Sequence, residues 1–285
     1  MVDLSVIIPT YKRKESLFRL LGALVSQKQI VLEIIVIDQN PSGFFSDYEL
    51  QILHQSRHII QESPNVSAAR NRGAELASSD LIVFVDDDLV PEDGFCHELL
   101  LICRNYPVVK AFAPLVFSYE DKSLLKANFS KRYIESSDDI NGVHLIEETI
   151  SACLIFDKQY FYDTGGFDPI LFAYAGSTED QELFKRMKAR GLKFWHVPGI
   201  EIFHDDKTPG GCELRSEEYW KSRYKFMKGW VYRYMMHNIP AGRLSRRSYY
   251  RLIRSAFLNR DGLLNGIEYC YKQFTLLDIA IFDKK

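Results

Sequence analysis

Short β-branched runs that alternate with helical patterns constrain this chain more than any other feature. Leu4-Ser-Val-Ile-Ile-Pro9 has the pattern of a buried parallel strand stopped by proline. From Glu15 onward, Leu17, Leu20, Leu21, Leu24 and Val25 recur at offsets of three and four, which draws one apolar stripe along a helix. Glu33 to Asp38 reads as a second strand ended by the turn chemistry of Asn40-Pro-Ser-Gly43. Asn65 to Ala77 predicts a helix, and Leu81 to Val85 a strand that runs into Asp86-Asp-Asp88. The order is β-α-β-α-β-α-β. Strands joined this way need crossover connections in a parallel sheet, and such sheets place ligands at the carboxyl ends of their strands. Three of those ends finish in Pro9-Thr10, Asp38 and Asp86, so chemistry is expected there.

Beyond Pro91 the pattern is less regular. A helix is expected near Gly94–Asn105, extended chain near Val108–Phe117 and Ile150–Phe156, and a turn at Gly165-Gly-Phe-Asp168. Glu179–Arg190 suits a helix ended by Gly191, and Lys193–Val197 and Ile200–Phe203 suit strands on either side of Pro198-Gly199. With no repeat and no low-complexity linker, the reading is one α/β domain over residues 1–214. Residues 215–285 read as helices rich in Tyr, Trp, Arg and Lys.

The net charge of −2 conceals a division between these parts. Residues 215–285 carry 15 basic and 6 acidic side chains, and residues 1–214 carry 21 and 32. Overall balance argues against a globally basic nucleic-acid binder, and none is expected as a partner. Five scattered cysteines without CxxC spacing point to free thiols in a reducing cytosol. No signal-peptide pattern opens the chain and no run of 18 apolar residues occurs, so a cytoplasmic location is expected.

Three consecutive carboxylates at the end of an apolar strand repel one another, and a divalent cation relieves that cost. Oxygen donors suit Mg²⁺ or Mn²⁺. Alternation along an extended exit would turn Asp86 and Asp88 to one side and Asp87 away. Alone, the triplet is also consistent with a solvated acidic turn. Ser177-Thr-Glu-Asp-Gln-Glu182 is readable either as a helix cap with Thr178 and Glu182 in a capping box, or as a source of a general base from Asp180 or Glu179. His204, before Asp205-Asp206, is a candidate ligand or an ordinary histidine. Arg70, in Ser67-Ala-Ala-Arg-Asn-Arg-Gly73, has the planar fork that neutralises a diphosphate, though a surface helix arginine would look the same. No GxGxxG or P-loop lysine motif is present, which counts against dinucleotide oxidoreductases and P-loop kinases.

In order, these pieces resemble the inverting nucleotide-sugar glycosyltransferases of family 2, with their GT-A fold, over roughly residues 4–204. Val6-Ile-Ile-Pro-Thr-Tyr-Lys-Arg13 resembles the opening strand and base-binding turn, Val36-Ile-Asp38 the nucleoside-contacting strand end, and Asn65 to Gly73 the segment before the DxD strand. Phe84-Val-Asp-Asp-Asp88 resembles the DxD itself, Gly165-Gly-Phe-Asp168 with Thr178-Glu-Asp180 the GGFD and ED pair, and His204 the histidine after it. The resemblance implies a Rossmann-like mixed sheet flanked by helices, with a nucleotide-sugar half at about 1–90, an acceptor half at about 91–214 and a helical C-terminal extension. It implies donor binding by Pro9, Thr10, Tyr11, Arg13, Asp38, Arg70, Asp86 and Asp87. Asp88, Asp86 and His204 would hold Mn²⁺ or Mg²⁺, and Asp180 with Glu179 would be catalytic. The implied partners are a nucleotide-diphosphate sugar and a carbohydrate or lipid-linked acceptor, and the implied setting is bacterial polysaccharide, glycolipid or glycoconjugate assembly. Gln39-Asn-Pro follows Asp38 in place of the commoner acidic residue and Gly-Ser, the frequent glycine before Arg70 is absent, and no QxxRW motif occurs.

Two other readings compete. Asp86-Asp-Asp-Leu-Val90 also matches the DxDx[TV] motif of haloacid-dehalogenase-like phosphatases, which normally ends the first strand of its fold, whereas three strand-helix units precede it here. A non-catalytic glycosyltransferase-like binding module is the other, and it has no need for both an acidic triplet and Glu179-Asp180. The basic aromatic extension suits either peripheral contact with an anionic inner membrane face or a helical cover packed on the catalytic part.

Overall fold

The computed structural model describes residues 3–27, 30, 32–124, 143–146, 149–167, 169, 179–205 and 210–211. The chain divides into two compact units, Met1–Leu214 and Arg215–Lys285. The basic aromatic helices expected in the second unit lie outside the described residues, as do Thr178 and Asp168.

The first half follows the local patterns closely. Strands β1 (Leu4–Thr10), β2 (Leu32–Asp38), β3 (Arg57–Ile60) and β4 (Leu81–Val85) alternate with helices α1 (Lys14–Val25), α2 (Asp47–Leu53) and α3 (Val66–Leu76). These four strands are parallel in the spatial order β3-β2-β1-β4, with Thr10 opposite Asp38 in register. The expected strand ends therefore meet at one edge. Ser46 caps α2 in a reciprocal box with Glu49, and the Asn65 side chain accepts from the Ala68 N–H at the start of α3.

The second half changes direction. Strand β5 (Leu89–Pro91) and helix α4 (Phe95–Asn105) lead to β6 (Ala111–Ser118), β7 (His144–Ile146), β8 (Cys153–Asp157), α5 (Lys158–Thr164), α6 (Glu179–Ala189) and β9 (Phe194–His204). β8 runs antiparallel to β4 and β6, β5 and β7 run antiparallel to β9, and β6 and β9 are parallel. The sheet is therefore mixed and helices flank it, as expected.

One boundary differs. The two strands expected around Pro198-Gly199 are a single strand, β9, because the register jumps from Pro114–Val197 to Leu115–Glu201. The intervening residues bulge out of the ladder. A proline that donates no hydrogen bond is tolerated at such a place.

Alternation along β1 sends Leu4, Val6 and Ile8 to one face of the sheet and Ile7 to the other. The first face is covered by Leu17, Leu20, Leu21 and Leu24 of α1 and by Phe95, Cys96, Leu99 and Leu100 of α4. The second is covered by Ala69 and Ala74 of α3, Phe161 of α5 and Leu183, Phe184 and Met187 of α6. A leucine buried this completely stabilises by about 2–5 kcal/mol relative to alanine. On α3 the closest approach belongs to Gly73, where a Cβ would stand 2.2 Å from Ile7 Cγ2. A larger residue there would lift α3, and Arg70 with it, off the sheet.

Candidate active site

The acidic triplet leaves β4 as a turn, with the Leu89 N–H donating to the Asp86 carbonyl at 3.2 Å. That turn overrides simple alternation. Asp87 does not point away by itself: Asp87 and Asp88 share one arginine, and Asp86 meets another. Arg13 Nη1 lies 2.5 Å from Asp88 Oδ2 and 3.3 Å from Asp87 Oδ1. Asp87 Oδ2 also accepts from the Thr10 hydroxyl at 2.7 Å and the Tyr11 N–H at 3.3 Å. Thus Thr10, Tyr11 and Arg13 all converge on Asp87, while Pro9 is buried in β1 opposite Ile37.

His204 closes the other side of Asp88. Its Nε2 stands 3.2 Å from Asp88 Oδ2, and the Asp205 N–H donates to the Asp88 carbonyl at 2.9 Å. Asp88 is almost fully buried, yet among the described residues its Oδ1 has no hydrogen-bond partner, and neither has His204 Nδ1. Charge is crowded here. Burial, reinforced by Asp88, pushes the Asp87 carboxyl up to about 7 against the pull of Arg13 and Thr10. Burial also holds Asp86 above the ordinary carboxylate range, opposed by Arg70 and assisted by Asp88. Burial alone would lower His204, but its hydrogen bond to Asp88 and that residue's charge raise it. Arg13 is likewise raised, because Asp88, Asp87 and Asp86 outweigh its desolvation.

Arg70 departs from expectation. Its side chain is 1% exposed, and its fork is engaged by Asp86 Oδ1 at 2.8 Å and Glu179 Oε1 at 3.4 Å instead of being open to a diphosphate. The guanidinium also lies over the Phe167 ring, 5.0 Å from its centroid. The adjacent Asn71 receives the Phe167 N–H at 2.9 Å and donates to the Phe167 carbonyl at 2.8 Å, and Asn65 donates to the Pro169 carbonyl at 2.8 Å. One face of α3 thereby fixes the GGF turn and the first residue of α6. Asp180, next in that helix, is half-buried and accepts the Ser151 N–H at 3.3 Å. Of the two acids that open α6, Glu179 is paired in the interior and Asp180 is the one nearer solvent.

Asp38 is also more committed than its strand-end position suggests. Its Oδ1 accepts both the backbone and side-chain N–H of Asn40, and its Oδ2 meets His58 Nε2 at 2.9 Å. Burial opposes its charge, but the bonds from His58 and Asn40 hold its pKa below the usual value. His58 has no sequence signal, because it reaches Asp38 only through the β2–β3 register, where it lies opposite Val36.

These donors fit a divalent cation in part. Asp88 offers a buried oxygen that has no partner among the described residues and His204 an imidazole beside it, with Asp86 close by; Mg²⁺ and Mn²⁺ commonly take one or two carboxylates and complete their shell with substrate phosphates. Among the described residues, no three such side chains are gathered tightly enough to hold an ion by themselves. The phosphatase reading fits poorly, since Asp86, which would be its nucleophile, leaves the fourth strand and is held by Arg70.

The family model for Glycosyl transferase family 2 matches residues 5–163. A pre-mycofactocin glycosyltransferase of Mycobacterium tuberculosis is 27% identical over 242 residues, covering 80% of this chain and 46% of that protein. The chain thus spans about half the length of that relative. A glucosyl-dolichyl phosphate glucuronosyltransferase of Haloferax volcanii is 23% identical, covering 94% of this chain and 88% of the other. Among solved structures, GalNAc-T7 with UDP, GalNAc and Mn²⁺ matches at TM-score 0.59 and 16% identity over 88% of this chain and 54% of that one. TarS of S. aureus in complex with UDP-GlcNAc matches at TM-score 0.58 and 13% identity over 89% of this chain and 79% of that one. The mixed sheet is thus the GT-A fold of these enzymes.

Proposed function

Since the chain belongs to glycosyl transferase family 2, we propose that it moves a sugar from a nucleotide-diphosphate donor to an acceptor hydroxyl with inversion at the anomeric carbon, in polysaccharide, glycolipid or glycoconjugate assembly. One observation carries the reading. Arg70 joins Asp86, at the acidic strand end, to Glu179, at the start of α6, which brings Asp180, the next residue, to the same end of the sheet as the acidic turn. UDP-sugar complexes of structural neighbours support a nucleotide-sugar donor, and the Haloferax relative's name supports a lipid-linked acceptor.

In this reading residues 1–90 bind the donor and 91–214 the acceptor. Thr10, Tyr11 and Asp38 shape the nucleoside end of the site. Asp88, Asp86 and His204 would hold Mn²⁺ or Mg²⁺, which supplies positive charge against the leaving diphosphate. Asp180, oriented by the Ser151 N–H, accepts the acceptor's hydroxyl proton as the oxygen attacks and the bond from the anomeric carbon to the diphosphate breaks. Attack from the face opposite the diphosphate inverts the centre, by the logic that separates inverting from retaining glycosidases.

Asp180→Asn tests the assignment. Transfer from a panel of nucleotide sugars should fall by about 10²–10⁴-fold, while donor binding, followed by calorimetry, stays within a few-fold of the parent. Equal loss of both would remove Asp180 as the base.

A further inference from the structure

We infer that His58 is a positioning residue for the donor: from the edge strand β3 it fixes the Asp38 carboxylate in the orientation that receives the nucleoside. The inference rests on the reading above that puts Asp38 at the nucleoside end of the site. Its first ground is how the lone pairs of that carboxylate are used. Oδ1 accepts two donors from Asn40, the backbone N–H at 2.9 Å and the side-chain amide at 2.7 Å, which fill both of its lone pairs. Oδ2 meets His58 Nε2 at 2.9 Å. Among the described residues, the acceptor position left on Asp38 therefore lies on Oδ2, the oxygen that His58 holds.

The second ground is how His58 is held. It stands opposite Val36 in the parallel β2–β3 pairing, and Val36 and Asp38, two residues apart, share one face of the sheet, so His58 lies beside Asp38 on that face. Its side chain is 6% exposed. Its ring meets the Phe45 ring edge-on, with centroids 6.5 Å apart at 88°, and lies 6.4 Å from the His54 ring. Phe45 is itself buried in the core cluster that contains Val36. Packing thus clamps the imidazole and aims its Nε2 at Asp38. Asn40 is fixed from the other side, since its Oδ1 accepts the Lys12 N–H at 2.6 Å. Contacts therefore run from the Lys12 turn through Asn40 and Asp38 to His58. Because Asn40 also supports the turn of Tyr11 to Arg13, its replacement would disturb several groups at once. Replacement of His58 is the cleaner probe, since the hydrogen bond it loses is the one to Asp38.

Calorimetric titration of the full chain with UDP, GDP, dTDP, CDP and ADP, in a buffer containing Mg²⁺, tests this without any assay of turnover. His58→Phe keeps an aromatic ring and removes the Nε2 donor. Its Kd for the nucleoside diphosphate that the parent binds most tightly should rise about tenfold at unchanged stoichiometry. His58→Gln, whose amide can donate from a similar place, should recover most of that loss. A parental Kd in His58→Phe overturns the inference and leaves the nucleotide-donor reading intact, and so does a reduced stoichiometry at parental Kd, the mark of a partly unfolded protein. Equal weakening in His58→Phe and His58→Gln assigns the effect to the packing of the ring and also overturns the inference. A parent that binds none of these nucleotides overturns the donor reading and the inference together. Should His58→Phe not fold, His58→Asn, whose shorter amide does not reach Oδ2, takes its place: a Kd raised about tenfold supports the inference, and a parental one overturns it.

Discussion

Two arginines stand on either side of the same acidic turn, and each answers two carboxylates, yet they do different work. Arg70 projects from a helix, is 1% exposed in its side chain, and joins carboxylates from two separate elements, the β4 exit and α6. Arg13 comes from the loop before α1, is 12% exposed, and meets two carboxylates adjacent in the sequence. The first arginine is a tie between parts of the fold. The second is compensation for charge within one turn. If either is removed, what remains differs: His204 still faces Asp88 and Thr10 still bonds Asp87, whereas Asp86 and Glu179 lose the cation that joins their elements.

The largest effect should therefore come from Arg70. Arg70→Ala removes a buried cation shared by Asp86 and Glu179 and should cost about 3–5 kcal/mol, measured by urea unfolding. Arg70→Lys keeps the charge but loses the fork that spans Asp86 and Glu179, so it should recover only part of the loss. Arg13→Ala should cost less, because His204 still faces Asp88 and Thr10 and Tyr11 still bond Asp87. Equal destabilisation by the two alanine variants would break the distinction between tie and counter-ion.

Asn71 sharpens it at an intermediate scale. Its side chain satisfies both the N–H and the carbonyl of buried Phe167, so Asn71→Ala should cost about 1–3 kcal/mol. Because the same turn leads toward Asp180, transfer should fall as well, with donor affinity preserved. A variant with parental stability and reduced donor affinity would place Asn71 with the nucleotide and not with the tie.

Strands β1, β2 and β4 and helices α1 and α3 are legible from the sequence because their signals are local: β-branched runs, an apolar stripe, an Asn cap. The acidic triplet and Glu179-Asp180 are legible as candidates for the same reason. Their pairings are not. Arg70 meets Glu179 across 109 residues and Arg13 meets Asp87 across 74, and no local pattern says which carboxylate an arginine will find. The turn at Asp87-Asp88, which hands both residues to Arg13, and the bulge that makes β9 one strand, are set by neighbouring chain segments in the same way.

The smallest effect concerns a third strand end, Asp38, where among the described residues no arginine takes part. Its carboxylate is held by Asn40 and His58, and its pKa lies below the ordinary 3.8 because those bonds outweigh its burial. A carboxyl whose pKa is lower in the folded than in the unfolded chain adds stability that is complete above the unfolded value and disappears as pH falls through the folded one. Asp38→Asn should therefore be less stable than the parent at neutral pH. That gap should persist down to about pH 4 and close below it, as the parent's Asp38 takes up its proton. Urea midpoints of the two proteins from pH 7 to pH 3 read this directly. A gap constant across the range would mean that the Asp38 cluster contributes through shape and hydrogen bonding alone. It would also leave Arg13 and Arg70 as the groups at this edge whose charge matters to the fold.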